Sequence, residues 1–296
     1  MILVTGTSGF IGKKLHTALV SEYGADHILA LSSKPTAESH YLLHNNYTFD
    51  NDYISKSGYS AIKTVIHAGA FTPKNAGESN DLFSCASNIN STMKLLQLEL
   101  PNLKKVIFLS TLDVYGKDNV VSELSPIDPV SLYGDSKLYC EKMIAAWARA
   151  NDKIFQLFRV GHIYGPGEEA YQKLIPATIK KLLSGQPLQV WGTGNELRSF
   201  LFIDDLVSAI SKAVKIESGF VTTNLVGGSK IRVRELIDML IEISNTKPAI
   251  DFLPMSGEGR NLIFDNSKMQ KELGQMEIPL REGLTAEWEY MARLKW

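Results

Sequence analysis

Ile2-Leu3-Val4-Thr5-Gly6-Thr7-Ser8-Gly9-Phe10-Ile11-Gly12 opens the chain, and its reading decides the fold. A short apolar run leads into three glycines spaced G-x-x-G-x-x-G, and an amphipathic stretch over 13–23 follows. In that strand–turn–helix setting Gly6 serves a tight turn, Gly9 the close approach of a pyrophosphate, and Gly12 the packing of helix on strand. Ser8, Phe10 and Ile11 supply the amides around them, and the positive end of the helix favours the phosphates. The expectation is a dinucleotide site at the first strand of a parallel sheet.

The rest of the chain repeats that beginning. Apolar runs at 2–4, 28–31, 47–49, 64–67, 106–109, 155–158 and 223–226 alternate with helical periodicity at 13–23, 81–100 and 132–150. Such alternation predicts β-α-β crossovers around a sheet buried on both faces. The fold class is therefore α/β, a Rossmann-type doubly wound parallel sheet with a smaller C-terminal α/β substrate domain. After Gly165-Pro166-Gly167 the pattern loosens, although 232–243 and 267–273 keep helical spacing. The expected division is 1–160 and about 197–226 for the dinucleotide-binding domain, with about 161–196 and 227–296 for the substrate domain.

Composition narrows the function. With 31 basic and 32 acidic residues among 296, the net charge of -1 leaves no basic face for a nucleic acid, so phosphate recognition must rest on a few placed groups. The longest apolar runs fall far short of the ~20 residues a membrane span needs. Cys85 and Cys140 form no metal or disulfide pattern and read as thiols in a reducing, cytoplasmic setting.

The second expected strand ends in Leu31-Ser32-Ser33-Lys34, where an NAD site normally offers a carboxylate to the ribose. Two hydroxyls and a cation suit a 2′-phosphate, which favours NADP(H), with NAD(H) the alternative. Further on, Tyr133 and Lys137 lie four apart on one helical face, so the ammonium can lower the phenol pKa toward a working range and bind nicotinamide-ribose hydroxyls. Thr111 follows an expected strand at a carboxyl end, where its hydroxyl can orient the same substrate oxygen.

Five ordered stretches together resemble the extended short-chain dehydrogenase/reductases, the nucleotide-sugar epimerase/dehydratase/ketoreductase group. They are Gly6–Gly12, His67-Ala68-Gly69-Ala70, Ser110-Thr111-Leu112-Asp113-Val114-Tyr115-Gly116, Tyr133-Gly134-Asp135-Ser136-Lys137 and Tyr164-Gly165-Pro166-Gly167. The resemblance implies hydride transfer between a nicotinamide and a sugar carbon, with Thr111, Tyr133 and Lys137 catalytic. It implies cofactor contacts at Ala68, Gly69, Ala70 and Asp50, and a homodimer formed through the 81–100 and 132–150 helices. Arg198 and Arg260, whose guanidinium forks match a diphosphate, and Lys173 resemble its substrate-binding positions. The dehydratases of the group carry an Asp-Glu pair after the threonine. Here Leu112 and Asp113 stand there, and leucine transfers no proton, which argues against sugar dehydration and leaves Asp113 as a substrate contact. His162 replaces the usual Asn before the Tyr-Gly-Pro turn, a changed polar contact to the sugar or a structural histidine.

The function expected from these features is reduction of a 4-keto group on a nucleotide-diphosphate sugar. The alternative is a 4-epimerase that retains its cofactor. A reading of another class is a non-catalytic dinucleotide-binding regulator, which the presence of both Tyr133 and Lys137 disfavours.

Overall fold

The computed structural model describes residues 1–44, 59–116, 118, 120–217, 222–254, 261–274 and 277–295. The expected strand 47–49, Asp50 and Arg260 lie outside them. The chain gathers into two units, one of Met1–Gly116, Pro126–Val160 and Val207–Asn224, the other of Lys117–Ser125, Gly161–Leu206 and Leu225–Trp296.

The first unit is built on a seven-stranded sheet. Strands β1 (Ile2–Thr5), β2 (Ile28–Ser32), β3 (His40–Leu43), β4 (Thr64–His67), β5 (Lys105–Thr111) and β6 (Ile154–Val160) precede the late strand β11 (Thr223–Leu225). Their spatial order is β11-β6-β5-β4-β1-β2-β3, and the pairs from β3 through β6 are parallel. The order reverses between β1 and β4, the place in an open sheet where a ligand crevice forms at the strands' carboxyl ends. β1, β2, β4 and β5 are buried at every position, as two-sided coverage demands.

Helix α1 (Phe10–Tyr23) begins three residues earlier than its periodicity suggests, because Gly9 is already its N-cap and the glycine loop forms the first turn. Helix α2 (Leu82–Leu96) is capped by Asp81, whose side chain accepts from the Ser84 amide at 2.8 Å. It stops short of the expected residue 100, since Pro101 disfavours helical backbone at Leu100, which turns inward to the core. Helix α3 (Leu132–Ala150) starts at a Ser131 cap and matches its expected span. Strand His40–Leu43, which the sequence does not announce, pairs with β2; three of its four residues are exposed, so it carries little periodicity.

Two buried ionic features fix this unit. Arg159 of β6 grips Glu141 of α3 through two bonds, Nε to Oε1 at 3.0 Å and a terminal nitrogen to Oε2 at 2.7 Å, and lies over the Tyr115 ring at 4.6 Å. Lys105, first residue of β5, sends its Nζ to the carbonyls of Ala213 (3.1 Å), Val214 (2.8 Å) and Ile216. It thereby satisfies the carboxyl end of helix α5 (Ile203–Val214), where unpaired carbonyls and the helix dipole favour a cation.

Among the described residues the second unit holds three two-stranded sheets. Strand β7 (Ile163–Tyr164) pairs with β10 (Leu201–Phe202), β8 (Leu188–Trp191) with β13 (Ile250–Leu253), and β9 (Leu197–Ser199) with β12 (Lys230–Arg232). Helices α4 (Leu174–Leu183), α6 (Val233–Ser244) and α8 (Leu280–Ala292) pack on one another, and α7 (Ser267–Leu273) follows β13. The return to the first unit covers 207–224, narrower than the expected 197–226, because residues 197–202 spend their backbone bonds on β12 and β7.

Candidate active site

The glycine loop is shaped by contact. Gly6 has φ +75°, and a side chain there would meet the Gly69 backbone at 2.6 Å, while one at Gly12 would stand 2.0 Å from the Gly6 carbonyl oxygen. A side chain at Gly9 would meet nothing closer than 3.4 Å, so its missing Cβ leaves open approach rather than room for the fold. No side chain caps α1 and no acid stands in its first turn. Ser8 and Gly9 are exposed and Phe10 and Ile11 half-buried around that helix end. These residues fit a pyrophosphate held by backbone amides.

Thr5 and His67 are register partners in β1 and β4, which sets Gly6 beside Ala68-Gly69-Ala70. A buried polar chain then fixes the second loop. Thr5 Oγ1 accepts from the Gly69 amide at 2.8 Å and meets His67 Nδ1 at 2.8 Å; His67 Nε2 meets Thr92 Oγ1 at 3.0 Å, and Thr92 donates to the Asn88 carbonyl at 2.8 Å. With Thr92 donating to the Asn88 carbonyl, its oxygen accepts from Nε2–H, and a neutral ring then takes the Thr5 hydroxyl proton at Nδ1. Burial, with Lys137 nearby, lowers the His67 pKa to about 3. The Asn88 side chain accepts from the Phe71 amide at 2.7 Å and donates to the Phe71 carbonyl and Ser136 Oγ, each at 3.3 Å. It ties the loop after β4 to α3. The sequence reading missed Thr5, Asn88, Thr92 and Ser136; an asparagine on the inner stripe of a helix was the available signal.

Thr111 is the last residue of β5, not a residue beyond it. Its hydroxyl accepts from the Asp113 amide at 3.2 Å, which leaves its proton to donate. Asp113 itself is exposed. A side chain at Gly134 would stand 2.4 Å from the Asp113 carbonyl oxygen, so glycine lets the first turn of α3 press against the turn that follows Thr111. Tyr133, in that same turn, is buried and meets the Phe71 ring edge-on at 6.4 Å. Lys137 is 2% exposed, donates to the Leu109 carbonyl at 2.6 Å and lies 4.2 Å over the Phe108 ring. Burial lowers its pKa to about 8, against the pull of Cys140 and Glu141. It remains mostly an ammonium at neutral pH. Thr111, Tyr133 and Lys137 are thus brought together on β5 and α3 at the carboxyl side of the sheet.

At the end of β2, Ser32 is buried and its Oγ accepts from the Lys34 amide at 3.2 Å, so of the expected trio Ser33 and Lys34 are the exposed members. The second unit assembles His162, Lys173 and Arg198. His162 keeps a buried Nδ1 without a hydrogen-bond partner among the described residues, and burial together with the two cations lowers its pKa to about 4. Arg198 is half-buried and donates to its neighbour's carbonyl, Leu197 O, at 2.9 Å. Among the described residues no cluster of His, Cys, Asp and Glu is placed to hold a metal, and no helix is long and apolar enough to cross a membrane.

With this geometry in place, residues 2–223 match the model of the NAD dependent epimerase/dehydratase family. The chain belongs to this family. Full-length relatives within it differ in reaction. A Bacillus subtilis protein described as an uncharacterized UDP-glucose epimerase is 27% identical over 314 residues, covering 99% of this chain and 98% of its own. A dTDP-4-dehydro-6-deoxyglucose reductase of Escherichia coli is 28% identical over 290 residues, covering 92% and 91%. The crystal structure of a UDP-glucuronic acid 4-epimerase from Bacillus cereus, in complex with UDP-glucuronic acid and NAD, superposes with a TM-score of 0.85 at 26% identity over 99% of each chain. Members of the family are NAD-dependent enzymes, and the α/β fold with its parallel sheet is the one they share.

Proposed function

We propose that this chain transfers hydride at carbon-4 of a nucleotide-diphosphate sugar, and that it works as a 4-epimerase. The observation that carries the reading is the buried Thr111, Tyr133 and Lys137 arrangement with Leu112 where dehydration would need an acid. That combination supports redox chemistry at the sugar carbon and no loss of water. The nicotinamide, when bound, supplies the hydride acceptor and donor. Tyr133 takes the proton of the sugar's 4-hydroxyl and later returns it; the Thr111 O–H orients that oxygen; the Lys137 ammonium, in a low-dielectric setting, favours the phenolate. In this reading Gly6, Ser8, Gly9, Phe10, Ile11, Gly12 and the 68–70 loop hold the dinucleotide. Asp113 and the His162 Nδ1 meet sugar hydroxyls, and Lys173 and Arg198 meet the diphosphate. The 4-epimerase direction is supported by the full-length likeness to the UDP-glucuronic acid 4-epimerase.

A second reading, 4-keto reduction with NADP(H), is favoured by Ser33 and Lys34 standing exposed where a carboxylate would select NAD(H). Two assays separate them. Interconversion of UDP-glucose and UDP-galactose, or of their uronic acids, without added cofactor supports the epimerase; stoichiometric NADPH oxidation on a dTDP-linked 4-keto-6-deoxy sugar, with no interconversion, overturns it. Calorimetric titration with NAD(H) and NADP(H), repeated on Lys34→Ala, reports the cofactor. If Lys34 holds a 2′-phosphate, the variant loses roughly tenfold or more for NADP(H) alone.

The protein forms a homodimer in this reading. Phe83 (85% exposed) and Leu82 (65%) on α2, and Tyr139 (56%) on α3, give the two helices an apolar outer face. Sedimentation of wild type and Phe83→Asp checks it, a monomeric wild type being the contrary result.

A further inference from the structure

We infer that Glu168 and Glu287 share a proton behind Lys173, and that binding of the nucleotide sugar draws a proton onto Glu168. The inference rests on the reading of Lys173 as a diphosphate contact.

Glu168, four residues past β7, is 1% exposed, and Glu287 on α8 is 0% exposed. Among the described residues neither oxygen of Glu287 makes a well-formed hydrogen bond; its near neighbours are the Glu168 carboxyl and the Gly165 amide. Ionised carboxylates only accept, so two of them face to face in a buried site need a proton between them. The cation facing them is Lys173, whose Nζ is 3.4 Å from Glu168 Oε2 while its side chain is 42% exposed. One ammonium balances one carboxylate. Of the other groups around the pair, Glu169 and Tyr171 lie on the same loop and Tyr164 on β7, with Tyr290 of α8 beside Glu169 and Asp205 and Glu277 beside Tyr164; the Lys180 ammonium of α4 donates to the Glu169 carbonyl at 2.6 Å. Burial raises both carboxyls, Glu168 to about 7; the Lys173 ammonium 3.4 Å from Glu168 favours its ionised form, so the pair's first proton stays on Glu287 and Glu168 is the member that titrates.

A diphosphate drawn to Lys173 adds negative charge beside Glu168 and raises its pKa further. Glu168 takes up a proton and yields Lys173 to the ligand. The sign follows from linkage: a group whose pKa is higher in the complex makes binding weaken as pH rises through its free value. Affinity therefore falls by up to about tenfold per pH unit above about 7. Glu168 acts through Lys173 and is a positioning residue.

The test is calorimetric titration of the full chain with UDP-glucose and dTDP-glucose between about pH 6 and 9, in buffers of different ionisation enthalpy. The diphosphate diester of these probes does not titrate there. Expected are a proton uptake approaching one above pH 7 and a matching loss of affinity. Both are abolished in Glu168→Gln and in Lys173→Met, while Glu287→Gln removes the infrared band of a buried protonated carboxyl at pH 8. Binding with uptake unchanged in Glu168→Gln and Lys173→Met overturns the inference and leaves the proposed function standing. Failure of both nucleotide sugars to bind at any pH overturns the proposed function, and the inference falls with it.

Discussion

Replacing Asn88 with alanine should loosen the loop after β4 without unfolding the chain. Asn88 is 2% exposed and makes three bonds: it accepts from the Phe71 amide at 2.7 Å and donates to the Phe71 carbonyl and to Ser136 Oγ, each at 3.3 Å. Orphaning the Phe71 amide costs about 1–3 kcal/mol, and the two longer bonds contribute about 0.5 kcal/mol each. Phe71 is half-buried, so water recovers part of the first figure. With that recovery the expected loss is about 1–3 kcal/mol, a sizeable share of a typical stability of about 5–15 kcal/mol yet short of all of it. Urea unfolding measures it, and amide hydrogen exchange at Phe71 localises it. A change below about 0.5 kcal/mol with Phe71 exchange unaltered would refute the assignment of this side chain as the tie between loop and helix.

Tyr133→Phe should keep the fold and cofactor binding yet lose about 10²–10⁴ in turnover, and near-normal rates would move the proton transfer to another group. Because burial sets the Lys137 pKa at about 8, turnover should fall as pH rises through that value and the ammonium is lost; Lys137→Met should abolish the alkaline limb along with most activity. The buried Glu141 and Arg159 pair should cost about 3–5 kcal/mol when one partner is removed, as in Arg159→Met, with thermal unfolding as the readout.

The parts of the fold legible in sequence were those with local signals. The β1 to α1 passage was readable because its glycines, apolar run and helical periodicity are contiguous; the helix over 132–150 was readable because its apolar positions recur at helical spacing along its whole length. Strand β3 was not, because an edge strand with three exposed residues carries no alternation. Spacing singles out Thr111, Tyr133 and Lys137 as candidates, but it does not give the placement of the Lys137 ammonium on the Leu109 carbonyl, which depends on residues 28 positions apart. Glu168 and Glu287 read as surface acids in a list of residues, since only folding brings positions 168 and 287 into one dry site.

Lys105 reaches forward more than a hundred positions to close the end of α5, and β11 completes its sheet from still later in the chain. The first unit is therefore unfinished when its first 160 residues leave the ribosome. Its nascent sheet must wait, with the flank of β6 unpaired, until everything through position 224 has been synthesised, including the stretch 161–206 that belongs to the other unit. A chain released at residue 160 would present that open edge to its neighbours, and aggregation rather than a small autonomous dinucleotide-binding protein is the outcome this topology favours.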